Sequence, residues 1–101
     1  MTTTSTIFDF SRLESGELYL FLPTASSTAG VWGMFERLDR RRGVLLSVCS
    51  GDLTHFDLWT PLPSGYTCCR LASRSELRDF MFRLNQRFTD DGFPATEIPH
   101  P

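Results

Sequence analysis

Short apolar stretches separated by turn-forming residues recur along the chain and predict β-strands. Residues 17–22 (ELYLFL) are almost entirely apolar, which is typical of a strand covered on both faces. Residues 44–49 (VLLSVC), 54–60 (THFDLWT) and 66–71 (YTCCRL) are further candidates, each bounded by Gly, Pro, Ser or Asp. In residues 54–60 apolar and polar positions alternate, so we expect Phe56 and Leu58 on one face of that strand.

Residues 29–42 fit two different structures. Apolar side chains recur there at the helical spacing i, i+3, i+4 and i+7. They are Val31, Met34, Phe35 and Leu38. Gly30 and Gly33 oppose a helix, because glycine loses more conformational freedom than other residues on entering one. Our prediction is a helix over residues 29–42. The alternative left open is a strand, in which residues 40–43 (RRRG) form a hairpin turn.

Residues 74–88 carry the clearest helix signal of the chain. Ser73 and Glu76 form the pattern S-x-x-E, a capping box in which each side chain satisfies a backbone amide at the start of a helix. Apolar residues then repeat at helical spacing and predict one buried stripe. The stripe consists of Leu77, Phe80, Met81, Leu84 and Phe88. Residues 89–92 (TDDG) are expected to end the helix.

These elements, in the order β-α-β-β-β-α, predict an α+β fold. We expect two layers, with two helices on one face of a mostly antiparallel sheet of three to four strands. The length of 101 residues predicts a single domain spanning residues 1–101. Residues 1–6 are expected to form a polar tail, and residues 93–101 a proline-rich extended tail.

The charged and aromatic residues narrow the classes of partner. All ten basic residues are arginine, and four of them lie within residues 37–42. Guanidinium is a flat, permanently charged fork that suits carboxylates, phosphates and aromatic faces. The net charge of −2 nevertheless argues against a generic nucleic-acid coat and against electrostatic adhesion to anionic membranes. Nine Phe, two Trp and two Tyr exceed the needs of a small core, which indicates an interface.

The first residues, the apolar stretches and the cysteines together indicate the environment of the protein. The first ten residues (MTTTSTIFDF) lack a basic segment followed by an apolar one, so we predict no secretory signal. No apolar stretch approaches the about 20 residues that span a bilayer. Three cysteines, an odd number, do not fit a disulfide framework. We therefore expect a cytoplasmic protein without a membrane partner.

No set of residues predicts catalysis, a metal or a cofactor. Cys68 and Cys69 would point to opposite faces of a strand, and their spacing is not that of a metal site. The residue types allow one candidate set for nucleophilic catalysis, a cysteine with His55 and Asp57. They also allow one candidate set of metal ligands, Asp52 with His55 and Asp57. Without lysine, a P-loop and Schiff-base chemistry are excluded. We expect a non-enzymatic protein.

Two large aromatic residues, each near arginine on a predicted helix, are the candidate contact points for a protein partner. The predicted partner-binding residues are Trp32, Arg37, Arg40, Arg41, Arg78 and Phe82. We predict a small interaction module, an inhibitor or adaptor that binds a cytosolic protein complex, with nucleic-acid-processing complexes as candidates. Small domains of this style are frequent on phages and other mobile elements, where anti-CRISPR and similar counter-defence proteins block host machinery.

The alternative is a nucleic-acid-binding protein. Its arginine cluster would bind phosphates, and Trp32 or Tyr66 would stack on bases. No RRM, zinc-finger or KH signature accompanies the cluster, so nucleic acid is the less favoured partner. A homodimer is compatible with either function, because a second copy can cover exposed aromatic residues.

Overall fold

The computed structural model describes residues 5–90, with side chains up to Arg87. In this part of the chain, five strands form one antiparallel sheet in the order β4-β3-β2-β1-β5, and one α-helix accompanies it. After a short 3-10 helix (Phe10–Arg12), the elements are β1 (Leu18–Leu22), β2 (Val31–Asp39), β3 (Gly43–Ser50), β4 (Asp57–Pro61), β5 (Cys68–Leu71) and α1 (Arg74–Asp90). The α+β class and the antiparallel sheet are confirmed. The predicted count of three to four strands and two helices is wrong, since there are five strands and one α-helix in this part of the chain. The predicted tails lie largely in residues 1–4 and 91–101, outside the described range.

β1 lies near the centre of the sheet and is buried on both faces, as its apolar sequence predicted. All five of its residues are buried. Tyr19 and Phe21 belong to the core cluster of one face, here called the inner face. Leu18, Leu20 and Leu22 belong to the clusters of the opposite, outer face, which carries α1. A strand buried on both faces needs cover from two sides, and the rest of the fold supplies it.

The predicted helix over residues 29–42 is wrong, because Val31–Asp39 form strand β2. β2 is hydrogen-bonded to β1 on one side and to β3 on the other. Its side chains alternate, with Trp32 and Met34 on the outer face and Phe35 on the inner face. Pairing with two neighbouring strands outweighs the helical spacing, since local propensity is a weak preference that tertiary context overrides.

The β2–β3 hairpin confirms the alternative that the sequence left open. Residues 40–42 form its turn, and Gly43 follows with a φ of 75°. A three-residue loop closed by a residue in the left-handed region is a common hairpin geometry, and glycine adopts this φ without a side-chain clash. The three arginines of the turn therefore share the tip of a hairpin and not one face of a helix.

Gly33 is the point where the side chains beside β2 approach its backbone most closely. A Cβ atom there would lie 2.6 Å from Cδ1 of Leu46 and 3.1 Å from Cε2 of Phe21. Both neighbours are fully buried, so neither can move aside easily. The glycine that argued against a helix therefore has a packing role, because it lets side chains from β1 and β3 meet over β2.

The sheet is strongly curled. Two register shifts in the β2–β3 pairing mark bulges, which bend and twist a strand pair. In the connection from β4 to β5, the N–H of Leu62 donates to the carbonyl of Val44 at 2.8 Å. The N–H of Thr67 donates to the carbonyl of Leu22 at 3.0 Å. The five steps of chain from Leu62 to Thr67 reach at most about 18 Å. In a flat sheet these two residues would lie about 30 Å apart, because four strand spacings and about seven residues of rise separate them.

The N-terminal segment closes the open side of the inner core. Ile7 exchanges two backbone hydrogen bonds with Cys69, at 2.7 and 2.9 Å, and so covers the outward edge of β5. Phe10 meets Phe21 edge to face, with ring centroids 5.6 Å apart. Leu13 follows and is buried in the same cluster. Residues 7–13, for which the sequence analysis predicts no element, thus complete the core.

α1 covers the outer face of the sheet. Phe80 and Leu84 are buried there, and Leu77 is half-buried. Met81 is 43% exposed and marks the border of the buried stripe. The predicted stripe is confirmed at its centre, and the side chain of Phe88 lies outside the described residues. The opposite face of the helix is left for other contacts.

Replacing Gly33 by alanine tests the close approach over β2. We expect Gly33→Ala to lower the free energy of unfolding by about 1–3 kcal/mol, because the added methyl group overpacks a filled core. Urea denaturation followed by circular dichroism measures this. Gly51→Ala is the matched control, since its Cβ would meet only Cγ2 of Val31, at 4.0 Å. Equal losses in the two variants would contradict the packing role.

Candidate interaction surfaces

The β2–β3 hairpin carries four arginines at and beside its tip, three of which contact the carboxylate of Asp39. Oδ1 of Asp39 accepts hydrogen bonds from the backbone N–H groups of Arg41, at 2.8 Å, and Arg42, at 3.0 Å. Its Oδ2 lies 3.4 Å from Nη2 of Arg42 and 3.5 Å from Nη2 of Arg37. The backbone hydrogen bonds hold the pKa of Asp39 below its usual value, so the carboxylate stays charged and fixes the turn. With the exposed Arg40, these arginines are called the arginine hairpin.

The arginine hairpin concentrates positive charge in an acidic molecule. Residues 36–42 hold four arginines against Glu36 and Asp39, a surplus of two positive charges. The whole chain has a formal net charge of −2, so the remainder carries a surplus of four negative charges. This separation of charge steers an approaching anion toward the hairpin and away from the rest of the surface.

Trp32 is built into the outer face of the sheet. It is half-buried and packs in both apolar clusters of that face. The guanidinium carbon of Arg70 lies 5.6 Å from the centroid of its ring, a cation–π distance. The two residues flank Leu20, which pairs with Trp32 on one side and with Arg70 on the other. The sequence had predicted Trp32 as a partner contact, but here its ring packs within its own chain.

Arg70 also ties the sheet to the start of α1. Its Nη1 and Nη2 donate to the two carboxylate oxygens of Glu76 at 2.8 and 2.9 Å, a bidentate pair. Glu76 accepts a hydrogen bond from the N–H of Ser73 at 2.8 Å, and Oγ of Ser73 accepts one from the N–H of Glu76 at 3.2 Å. This geometry confirms the predicted capping box. The hydrogen bond from Arg70 is the main cause that lowers the pKa of Glu76 to about 2.

Phe82 lies on the outward face of α1, away from the buried Phe80 and Leu84. It is 66% exposed, and the adjacent Met81 is 43% exposed. Arg78 precedes Phe82 by four residues, so the two side chains are neighbours on the helix. Arg78, Met81 and Phe82 are called the helix surface. It combines an exposed ring with a guanidinium group, as the sequence predicted for Arg78 and Phe82.

Trp59 is a contact candidate that the sequence analysis did not single out. It lies in the edge strand β4 and is 60% exposed, and the neighbouring Leu58 is 46% exposed. Its φ of 54° lies in the left-handed region, where bulky side chains are rare. The alternating pattern of residues 54–60 had placed Trp59 opposite Phe56 and Leu58. The unusual backbone conformation has no signal in the sequence.

The structure does not bring the six predicted contact residues onto one surface. The three from residues 37–41 belong to the arginine hairpin. Trp32 lies at the other end of β2, and the chain from Trp32 to Arg40 corresponds to about 26 Å of extended strand. Arg78 and Phe82 lie together on α1. Two separate surfaces, the arginine hairpin and the helix surface, therefore remain as candidates. Trp59 is a further candidate contact.

The cysteines lie inside the fold, and the histidine of the candidate nucleophilic set lies on its surface. Cys49, Cys68 and Cys69 are buried free thiols. Burial raises the pKa of Cys49 to about 11 and that of Cys69 to about 12, so both stay protonated and are weak nucleophiles. His55 is exposed, and its Nδ1 lies 3.3 Å from Oδ2 of Asp52. The imidazole is thus engaged in its own loop.

Two features that would point to other functions are absent from residues 5–90. Within residues 5–90, no group of three His, Cys, Asp or Glu side chains comes together in a way that could hold a metal. Over the same range, no helix has the length and apolar character needed to cross a membrane. Comparisons with family models, with curated proteins and with solved structures find no match to this chain.

The pair of Arg70 and Glu76 predicts a pH-dependent stability. Because the pKa of Glu76 is lowered from 4.5 to about 2, its stabilising effect is complete above pH 4.5 and is lost as the pH falls through about 2. We expect Glu76→Gln to lower the free energy of unfolding by about 1–2 kcal/mol at neutral pH. The difference from wild type should shrink as the pH falls from 4.5 toward 2, measured by urea denaturation at each pH.

Asp79→Asn is the control for this measurement. Asp79 pairs with Arg83 at 3.1 Å on the exposed side of the helix. Exposed pairs of this kind contribute about 0.3–0.5 kcal/mol, so this variant should stay close to wild type. A Glu76→Gln difference that stays constant at every pH would contradict the role of the charged carboxylate.

Buried thiols predict slow alkylation of the native protein. At neutral pH, iodoacetamide should leave all three cysteines unmodified while the fold is intact, because the reagent needs an accessible thiolate. In urea, all three should react. Intact-mass spectrometry over time counts the modified thiols, and rapid modification of Cys69 without denaturant would contradict the structural assignment.

Proposed function

We propose that this chain is a small non-enzymatic interaction module, an inhibitor or adaptor that covers part of the surface of a cytosolic protein complex. It binds through the helix surface, and the ring of Phe82 enters an apolar pocket of the partner. The observation that carries this proposal is the exposure of Phe82, at 66%, on the face of α1 opposite its buried stripe.

Burying an exposed phenylalanine ring against a partner is energetically favourable. Burial of apolar area contributes about 25 cal/mol per Å², and a ring left in solvent by the fold is free to make that contribution with a partner. Met81 widens the apolar patch, and Arg78 adds a guanidinium group at its border. Central aromatic residues with nearby arginine are the usual composition of interface hot spots.

The helix surface is held in place before any partner arrives. The fork between Arg70 and Glu76 ties the first turn of α1 to the sheet. Phe80 and Leu84 hold its inner face. A surface that is already ordered loses little conformational entropy on binding. This suits a protein that acts by surface complementarity and not by folding onto its partner.

The proposed module acts by binding alone. An inhibitor that blocks a surface requires no catalytic group, and the protonated, buried thiols are poorly suited to supply one. Nucleic-acid-processing complexes are our candidates, as for the phage and mobile-element proteins of anti-CRISPR type. An adaptor would use the same helix surface and leave its other surfaces for a second contact.

Loss of the exposed ring is the test. The tagged chain is used to retain partners from its native cytosol, and mass spectrometry identifies them. Binding of the purified partner is then measured by calorimetry. We expect Phe82→Ala to weaken binding about 30-fold or more, because truncation of a hot-spot ring costs about 2 kcal/mol or more.

Phe8→Ala is the matched control, since Phe8 is 64% exposed but lies in the N-terminal segment. It should leave the affinity unchanged. Equal effects of the two substitutions, or no effect of either, would show that the proposal is wrong. Sedimentation of the chain alone gives a further check: a wild-type dimer that Phe82→Ala dissociates would assign the helix surface to a second copy and overturn the proposal.

A further inference from the structure

We propose that the arginine hairpin and Trp59 together bind single-stranded nucleic acid. Guanidinium groups of the hairpin would bind the phosphates, and the ring of Trp59 would stack on a base. This surface is separate from the helix surface, so the inference goes beyond the protein-binding function and does not rest on it.

The arginine hairpin is suited to phosphate oxygens. Arg40 and Arg41 are exposed at its tip. Arg37 and Arg42 share a single carboxylate oxygen of Asp39 at 3.5 and 3.4 Å, which are long distances for a charge-assisted hydrogen bond. Each guanidinium has five N–H donors, so both side chains keep donors for a ligand. The backbone hydrogen bonds to Asp39 hold the tip rigid, so these donors extend from a fixed base.

Trp59 supplies the ring. It is 60% exposed on the edge strand β4, with a φ of 54°. Backbone strain at a bulky residue is retained where the surrounding structure holds it, and such residues cluster at functional sites. An exposed, strained tryptophan is therefore a stronger candidate for base stacking than Trp32, whose ring lies beneath Arg70.

Strand register places the backbone of Trp59 near that of Arg37. Arg37 pairs with Leu45 across β2 and β3, and Leu45 pairs with Pro61 across β3 and β4. Trp59 is two residues before Pro61 in β4. Two strand spacings and two residues of rise put the Cα atoms of Arg37 and Trp59 about 12 Å apart. The hairpin tip continues from the same strand pair, so a few nucleotides could contact both.

The combination favours a single strand over other anions. A base shows its face to a protein ring only when it is unstacked, which a duplex does not allow. A small anion, or a duplex with its bases stacked, would satisfy the guanidinium groups but would offer no base face to Trp59. The negative surplus elsewhere on the chain confines the contact to this side. The expected footprint is therefore short.

Fluorescence anisotropy of labelled oligothymidine tests this inference with the full chain. An oligonucleotide of about 20 nucleotides exceeds the usual site size. We expect saturable binding at low salt and an about tenfold weaker affinity for Trp59→Ala. Trp59→Phe, which keeps a ring, should retain part of the affinity. Arg40→Gln with Arg41→Gln should reduce the slope of log affinity against log salt by about 1.4, the value for two phosphates of a single strand.

Arg12→Gln with Arg74→Gln removes the same charge from two exposed arginines elsewhere and is the matched control. It should leave the salt slope unchanged, and circular dichroism of every variant verifies the fold. The inference is wrong if anisotropy does not change up to about 100 µM protein, the weak limit of non-specific binding. It is also wrong if the control pair has the same effect as the hairpin pair.

Polyglutamate distinguishes phosphate from carboxylate recognition. If it displaces oligothymidine as effectively as unlabelled oligothymidine does at equal charge, the hairpin recognises acidic protein and the inference is overturned. The outcome is independent of the helix surface, because this assay contains no partner protein. Conversely, loss of the protein-partner interaction in Phe82→Ala would say nothing about oligothymidine, so the two proposals fail separately.

Discussion

The burial of β1 on both faces is the constraint on which the rest of the structure depends. Five consecutive buried side chains require two layers of cover, one on each side of the strand. The curled sheet and the N-terminal segment cover the inner face, and α1 covers the outer face. The bulges in the β2–β3 pairing bend the sheet, and the missing side chain at Gly33 lets Phe21 and Leu46 meet over β2. The placement of the hairpin tip and of the outward helix face follows from this cover.

One side chain joins the elements on the outer face. Arg70 lies over the ring of Trp32 from β2 and forks onto Glu76 of α1, so it connects β2, β5 and the helix. Flat guanidinium geometry makes both contacts possible at once, since one plane stacks while its edge donates two hydrogen bonds. With Trp32 engaged in this way, the groups open to a partner lie at the periphery, on the hairpin, on β4 and on α1.

The strands around β1 and the capped helix could be predicted from local patterns, but β2 could not. The apolar residues of β2 serve both faces, and a bulge shifts the alternation after Phe35. A strand with these two features imitates the helical spacing i, i+3, i+4 and i+7. Its partners lie in β1 and β3, and a local window contains no sign of them. The exposure of Phe82 could be predicted because the capping box and the apolar stripe fix which positions of the helix point outward. Trp32 was expected beside the apolar stripe of a helix, whereas in strand β2 its ring is half-buried on the outer face. Trp59 has no local signal, because its backbone conformation depends on the pairing of β4.

The two outer strands of the sheet differ from ordinary open edges. Ile7 occupies the outward edge of β5. β4 has only five residues, is distorted by the left-handed conformation of Trp59, and ends at Pro61, which has no N–H to donate. Neither strand presents the regular ladder that templates the addition of a strand from a neighbouring molecule. Although several aromatic rings are exposed, both edges of the sheet therefore disfavour the addition of strands in a cross-β polymer.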